Sequence, residues 1–139
     1  MTIITKNLSF KTKGELDIIN ITDAISNAIV DSGLRNGIVT IFIPGSTASV
    51  TTMEYEPGLL KDFPKALERI APKDMLYEHE KMWHDGNGHS HVRAALLGPS
   101  LTVPFSDRKL VLGTWQQLVF VELDNHSRSR NPILQIIGE

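Results

Sequence analysis

Residues 110–124 read Leu-Val-Leu-Gly-Thr-Trp-Gln-Gln-Leu-Val-Phe-Val-Glu-Leu-Asp. The stretch is rich in β-branched and aromatic residues, which favour a pleated surface over a helix. It predicts one long strand, apolar enough for both faces to be covered. Two features interrupt the run. Gly113 suggests a bulge or a close backbone approach, and Trp115-Gln116 offers an aromatic face beside an amide. Trp115 and Gln116 are candidates for a ligand wall, although core or subunit interface is the simpler reading of Trp115.

The flanking segments supply partners for that strand. Ile38–Gly45 (IVTIFIPG) reads as a second buried strand, broken at Pro44-Gly45. Residues 2–12 alternate and suggest a strand, Lys13-Gly14 a turn, and residues 15–22 a second strand completing a hairpin. Residues 48–56, 100–105 and 132–139 read as further strands, with turns over 106–109 and 125–131. Thr22 or Asp23 caps a helix bearing Ile21, Ala24, Ile25, Ala28 and Ile29, ended by Gly33 or Gly37. A second helix follows Pro57 and presents Leu59, Leu60, Phe63, Leu67 and Ile70; Pro64 should kink or restart it. Ser90 caps a short helix closed by Gly98. Strands and helices mixed in this order give an α+β fold, with antiparallel-compatible strands flanked by helices.

With 139 residues, the chain fits one domain spanning residues 1–139. A net charge of -2 supplies no basic field for nucleic acid or anionic lipid. Arg128 and Arg130, with Asp124 close by, make at best a local phosphate patch. The absence of cysteine removes disulfides and thiolate metal sites. No segment approaches the length of a membrane span, and the N-terminus lacks the long apolar run of a signal peptide. A cytoplasmic location is the default expectation.

Three constellations carry chemistry. The first is Trp83–His91 (WHDGNGHSH), with His79 just upstream. In a strand, His89 and His91 would share a face and one metal could take both. His79, His84 or Asp85 could complete the set, while a solvated polar loop is the competing reading. The second is Gly45–Glu54, where hydroxyls such as Ser49 and Thr51 suit an anion or carbonyl oxygen and Glu54 suits proton transfer. A threonine-rich strand explains the same residues. The third joins Leu97–Pro104, including Ser100, to Leu112–Gln117.

Together, the blocks GSTASVTTMEYEPG (45–58), YEH (77–79), DGNGHSHVRAALLGPSLTVPF (85–105), LVLGTWQQLVFVELDN (110–125) and QIIGE (135–139) resemble the YjbQ-like family. Some of its members are labelled secondary thiamine-phosphate synthases, and this chain is most similar to an archaeal branch. The resemblance implies a β-sandwich with a few helices, assembled as a homotrimer with its cleft between subunits. It implies an enzyme of diphosphate-displacing transfer, or else a non-catalytic binder of a small phosphate- or carboxylate-bearing ligand. On that reading His79, His89 and His91 hold a divalent ion, zinc above others. Asp85 supports the ion or joins its ligands, and Glu54 handles a proton. Ser49, Thr51, Arg93, Ser100, Trp115 and Gln116 bind the anionic substrate. Two positions depart from the family pattern: Gly45 stands where the family has histidine, and Met53 where it has asparagine.

Overall fold

The computed structural model describes residues 1–139. The chain begins with β1 (Thr2–Asn7), β2 (Phe10–Lys11), β3 (Ile18–Asn20), α1 (Thr22–Ser32), β4 (Gly37–Phe42) and β5 (Ala48–Glu54). Three helices follow, α2 (Leu59–Ile70), α3 (Glu78–Trp83) and α4 (Gly88–Leu97). It closes with β6 (Ser100–Ser106), β7 (Lys109–Leu110), β8 (Gln116–Glu122), β9 (Ser129–Arg130) and β10 (Ile133–Gly138). The fold is mixed α+β with antiparallel sheets. One sheet has the order β1-β10-β4-β6-β7, a second β3-β8-β5, and β2 pairs with β9. No helix is long and apolar enough to cross a membrane.

β8 organises the interior. Every residue from Leu118 to Leu123 is fully buried. Because strand side chains alternate, Leu118 and Phe120 enter one core with Val39 and Ile41 of β4, Leu134 of β10 and Ile25 of α1. Val119, Val121 and Leu123 face the other way, onto Leu67 of α2 and Ala94 of α4. Both faces of β8 are thus covered within a single chain. The expected long strand is shorter than the sequence suggests. Residues 111–115 leave it in a turn where the Gly113 N–H donates to Gln116 Oε1 (3.0 Å) and the Gln116 N–H to the Gly113 carbonyl (3.0 Å). Trp115 on that turn is exposed.

The expected N-terminal hairpin does not form. β1 pairs with β10, β2 with β9 and β3 with β8. Alternation identifies a strand but carries no information about its partner. The 38–45 run is buried on one face only: Val39, Ile41 and Ile43 are internal, whereas Ile38 and Phe42 are 40% and 44% exposed. Thr22 does not cap α1, because its hydroxyl accepts the Leu118 N–H (2.9 Å) and ties the helix to β8. Gly33 ends α1 in the left-handed conformation, as expected. α2 runs unbroken through Pro64. Its apolar anchors Leu60, Phe63 and Leu67 on the sheet outweigh the one missing backbone bond.

Phe120 meets Phe10 edge-on at 5.0 Å within the larger core. Phe120→Ala should lower the unfolding free energy by about 3–5 kcal/mol, read as a fall in the urea midpoint with the slope unchanged.

Candidate functional site

The end of β8 delivers two carboxylates, Glu122 and Asp124, into the interior, both essentially without solvent contact. A buried carboxylate demands partners. Arg130 meets Glu122 with Nε to Oε2 (2.8 Å) and Nη2 to Oε1 (2.5 Å). Thr12 Oγ1 donates to Glu122 Oε2 (2.8 Å). Asp124 accepts from Thr47 Oγ1 (3.0 Å) and Arg128 Nε (2.9 Å). Burial pushes the Asp124 carboxyl up, but the bonds from Thr47 and Arg128 outweigh it and hold it below its ordinary value. Arg130 Nη2 also donates to Thr47 Oγ1 (3.0 Å). Neither Glu122 nor Thr47 occupies Nη1.

That nitrogen faces the β4–β5 turn. Gly45 adopts φ +139°, a conformation that L side chains rarely reach, and a Cβ there would lie 3.2 Å from Arg130 Nη1. A pocket of about 440 Å3 opens beside it, lined by Gly45, Ser46, Thr47, Asn87, His91, Asp124, Arg128, Ser129 and Arg130. It adjoins a less polar space of about 320 Å3 formed with Ala48, Ala94, Ala95 and Pro99. Gly45, Ser46 and His91 line both.

The histidine wall comes from two short helices. Glu80 of α3 accepts the Gly86 and Gly88 N–H groups (2.6 Å each) and shapes the loop between them. Gly88 packs so closely on Tyr77 that an added Cβ would fall 2.5 Å from the Tyr77 Cβ. The result places the His79 and His91 rings 4.4 Å apart between centroids. His79 Nε2 lies 3.4 Å from Asp85 Oδ1. The Asn87 amide, oriented to satisfy this network, donates to Asp85 Oδ1 (2.8 Å) and reaches His79 Nε2 (3.2 Å). Burial, and then the neighbouring His79, hold the His91 imidazole below its ordinary pKa, against the opposing pull of Asp85, Asp124 and Glu80. His91 is accordingly neutral at pH 7 and able to accept a proton.

Several expected site residues lie elsewhere. His89 and His91 fall on the first turn of α4 rather than on a strand. Two helical steps rotate a side chain by about 200°, so they point to opposite sides. His89 is buried with Nε2 2.6 Å from Glu15 Oε1. Arg93 is fully buried too, and it bonds the Ala71 carbonyl (3.0 Å), Glu15 (3.3 Å) and Glu68 (2.6 Å). Both residues enter buried ion pairs. They pin α4 to α2 and to the loop after β2, and neither meets His79. Ser49 is fully buried and donates to the Gly98 carbonyl, and Thr51 shares its face of β5. Ser100 is exposed on β6, outside the pocket. Glu54, Trp115 and Gln116 gather at the far end of β5, where Glu54 pairs with Gln116. Six residue steps along the strand separate Glu54 from Ala48, roughly 20 Å. His84 is exposed at the end of α3. No group of three or more His, Cys, Asp or Glu is placed to hold a metal ion.

The residues that the motif reading underrated are Arg128 and Arg130. The signal was present in their spacing: two acids two apart (Glu122, Asp124) are followed by two arginines two apart.

Fold and pocket together define a small α+β protein with an arginine- and histidine-lined pocket at the end of its central strand. Residues 6–139 match the family described as UPF0047 protein YjbQ-like, and the chain belongs to that family. A UPF0047 protein of the archaeon Methanothermobacter thermautotrophicus is 38% identical, over 100% of this chain and 95% of its own. YugU of Bacillus subtilis is 30% identical, over 96% and 98%. Among solved structures, a YbjQ-like protein of unknown function from Sulfolobus solfataricus P2 superposes with a TM-score of 0.89 at 30% identity, covering 99% of this chain and 100% of that one.

The buried ion cluster yields a pH prediction. Burial raises the Glu15 carboxyl, but hydrogen bonds from Lys73 and His89 outweigh it and leave it below its ordinary 4.5. A depressed carboxylate stabilises the fold above its unfolded value, and that stability is lost as pH falls through the folded value. Glu15→Gln should therefore flatten the loss of melting temperature on acidification below about pH 4.5, while lowering stability at pH 7.

Proposed function

We propose that the pocket holds a small anionic molecule against Arg130 and Arg128, and that His91 exchanges a proton with it. The observation that carries this reading is Arg130, whose Nη1 makes no hydrogen bond and lies beside Gly45, at a pocket that Gly45, Arg130 and His91 all line. A guanidinium stays charged at every working pH and matches phosphate or carboxylate oxygens. Its partner Glu122 holds it in place, so the free nitrogen is preorganised. Ser46 adds a hydroxyl at the mouth. Asp85 and Asn87 orient His79, and burial, with His79 adding to it, favours neutral His91, which suits a general base near pH 7. The chemistry to assay is the diphosphate-displacing transfer that the family resemblance implies. Binding without turnover is the alternative.

We also propose the β-sandwich and homotrimer of the resemblance, and a cytoplasmic location. In such an assembly Glu54, Trp115 and Gln116 join the pocket only from a neighbouring copy. A zinc ion does not fit one chain by itself: His79, His91 and Asp85 meet, but they do not close into a three-ligand set. No step here runs through a metal. Elemental analysis of untagged protein decides the point. A stoichiometric ion, with a zinc-dependent rise in melting temperature that His79→Ala abolishes, would return the metal to this site.

In the free protein the His91 imidazole should titrate below the ordinary 6.5. Inorganic phosphate should move its midpoint upward, as seen by NMR, because a bound anion favours the imidazolium. It should also raise the melting temperature. His91→Gln should retain the thermal shift and lose any product formed from hydroxymethylpyrimidine diphosphate and thiazole phosphate. If phosphate changes neither the titration nor the melting temperature, the anion site is wrong. Undiminished turnover in His91→Gln removes the proton role.

A further inference from the structure

The pocket beside Arg130 continues into a second compartment of different chemistry. Arg128, Arg130 and Asp124 line only the first. The adjoining space of about 320 Å3 is lined by Ala48, Ala94, Ala95 and Pro99, and it shares Gly45, Ser46 and His91 with the first. Ser46 and His91 therefore stand on the boundary, and beyond them no polar side chain lines the second space. Helical spacing builds one wall: Ala94 and Ala95 lie three and four residues after His91 and so share its face of α4. Ala48 and Ala94 are buried, whereas Ala95 and Pro99 form an exposed rim. Bonds within the chain hold the other wall in place. The Pro99 carbonyl accepts the Ile43 N–H (2.8 Å), two residues before Gly45, and the Ser49 hydroxyl donates to the Gly98 carbonyl. The compartment is thus formed before any ligand arrives.

We infer that the ligand of this site is an organic anion with a compact apolar body. Its charged group lies against Arg130, its body rests on Ala48, Ala94 and Ala95, and the bond that joins them passes beside His91. The inference rests on the anion reading proposed above and adds the class of molecule that the site takes. The polar groups at the boundary have capacity to spare. The Arg130 side chain is only 10% exposed, yet its hydrogen bonds all run from Nε and Nη2. No hydrogen bond contributes to the depressed pKa of His91. A bare inorganic anion would satisfy Arg130 and leave the alanine compartment unused. A second charged group would find no partner among those alanines. An apolar body does find one, since it takes their methyl surface out of water along with its own. Apolar lining with a few convergent polar groups is the usual make-up of a small-molecule site. An enclosed cavity of about 150 Å3 holds benzene. A space of about 320 Å3 with an exposed rim therefore takes a single ring or a branched chain of similar size.

Calorimetric titration with phenyl phosphate and with inorganic phosphate tests this, at about pH 8 where both are mostly dianions. Phenyl phosphate should bind the wild-type chain about tenfold more tightly, the worth of roughly half a ring's surface taken out of water. In Ala95→Phe a tethered ring fills the compartment, so that advantage should vanish. Inorganic phosphate does not reach Ala95 and should bind this variant as before. Equal affinity of the two ligands for the wild-type chain would overturn the apolar compartment and leave the anion site standing. Binding of neither would remove the anion site, and the inference with it. A second readout needs no variant. The ring current of phenyl phosphate should shift the methyl resonances of Ala48, Ala94 and Ala95 in NMR spectra, and inorganic phosphate should move them far less. Tighter binding of phenyl phosphate without those shifts, or undiminished in Ala95→Phe, would put the ring elsewhere and overturn the proposal.

Discussion

The burial of β8 on both faces is the constraint from which the rest follows. Its apolar residues join two cores that share no other strand to the same extent, one toward β4 and β10, the other toward α2 and α4. The same strand ends in Glu122, also fully buried. A carboxylate in that position is tolerable only with close cationic and hydroxyl partners. Arg130 must come to it, and the segment from 125 to 130 must fold back over the strand end for it to do so. The pocket is the space left beside that obligatory ion pair. Stability and candidate site are here the same arrangement, because the group that neutralises Glu122 also lines the pocket and has its remaining nitrogen beside Gly45.

α4 divides its first turn between two tasks. On one side, His89 and Arg93 enter a buried cluster with Glu15 and Glu68. On the other, His91 lines the pocket. The cluster sets the roll of the helix about its axis, and the roll decides where His91 points. Histidines two apart therefore act as anchor and as site residue. A strand would have made them equivalent.

That division also explains what the sequence could and could not reveal. The composition of 118–123, the caps at Gly33 and Gly98, and the strands expected over 48–56 and 100–105, observed at 48–54 and 100–106, were legible because local preference and tertiary packing agree there. The N-terminal hairpin was not legible, since pairing of β1 with β10 is set by contacts more than a hundred residues apart in sequence. The histidine cluster was visible as composition, but its meaning depended on secondary structure: 88–97 is helical, which turned a candidate ligand into a core residue. Arg93 misled for a related reason. A lone arginine near a histidine loop suggests an anion, whereas Arg93 is fully buried and already bonded to two carboxylates and a carbonyl. Arg128 and Arg130 were noticed only as a local charge, because their carboxylate partners become buried only when β8 is.

Gly45 bears most directly on what this pocket selects. Any side chain at that position would begin 3.2 Å from Arg130 Nη1. Glycine there places no titratable group beside a guanidinium that stays charged. Anion binding by such a site should then depend little on protonation near neutral pH, with Arg130 providing the constant attraction. The pH dependence that remains is concentrated in His91, whose neutral form is maintained by burial and by the adjacent His79. On the proposed function, binding and proton transfer therefore fall to different side chains.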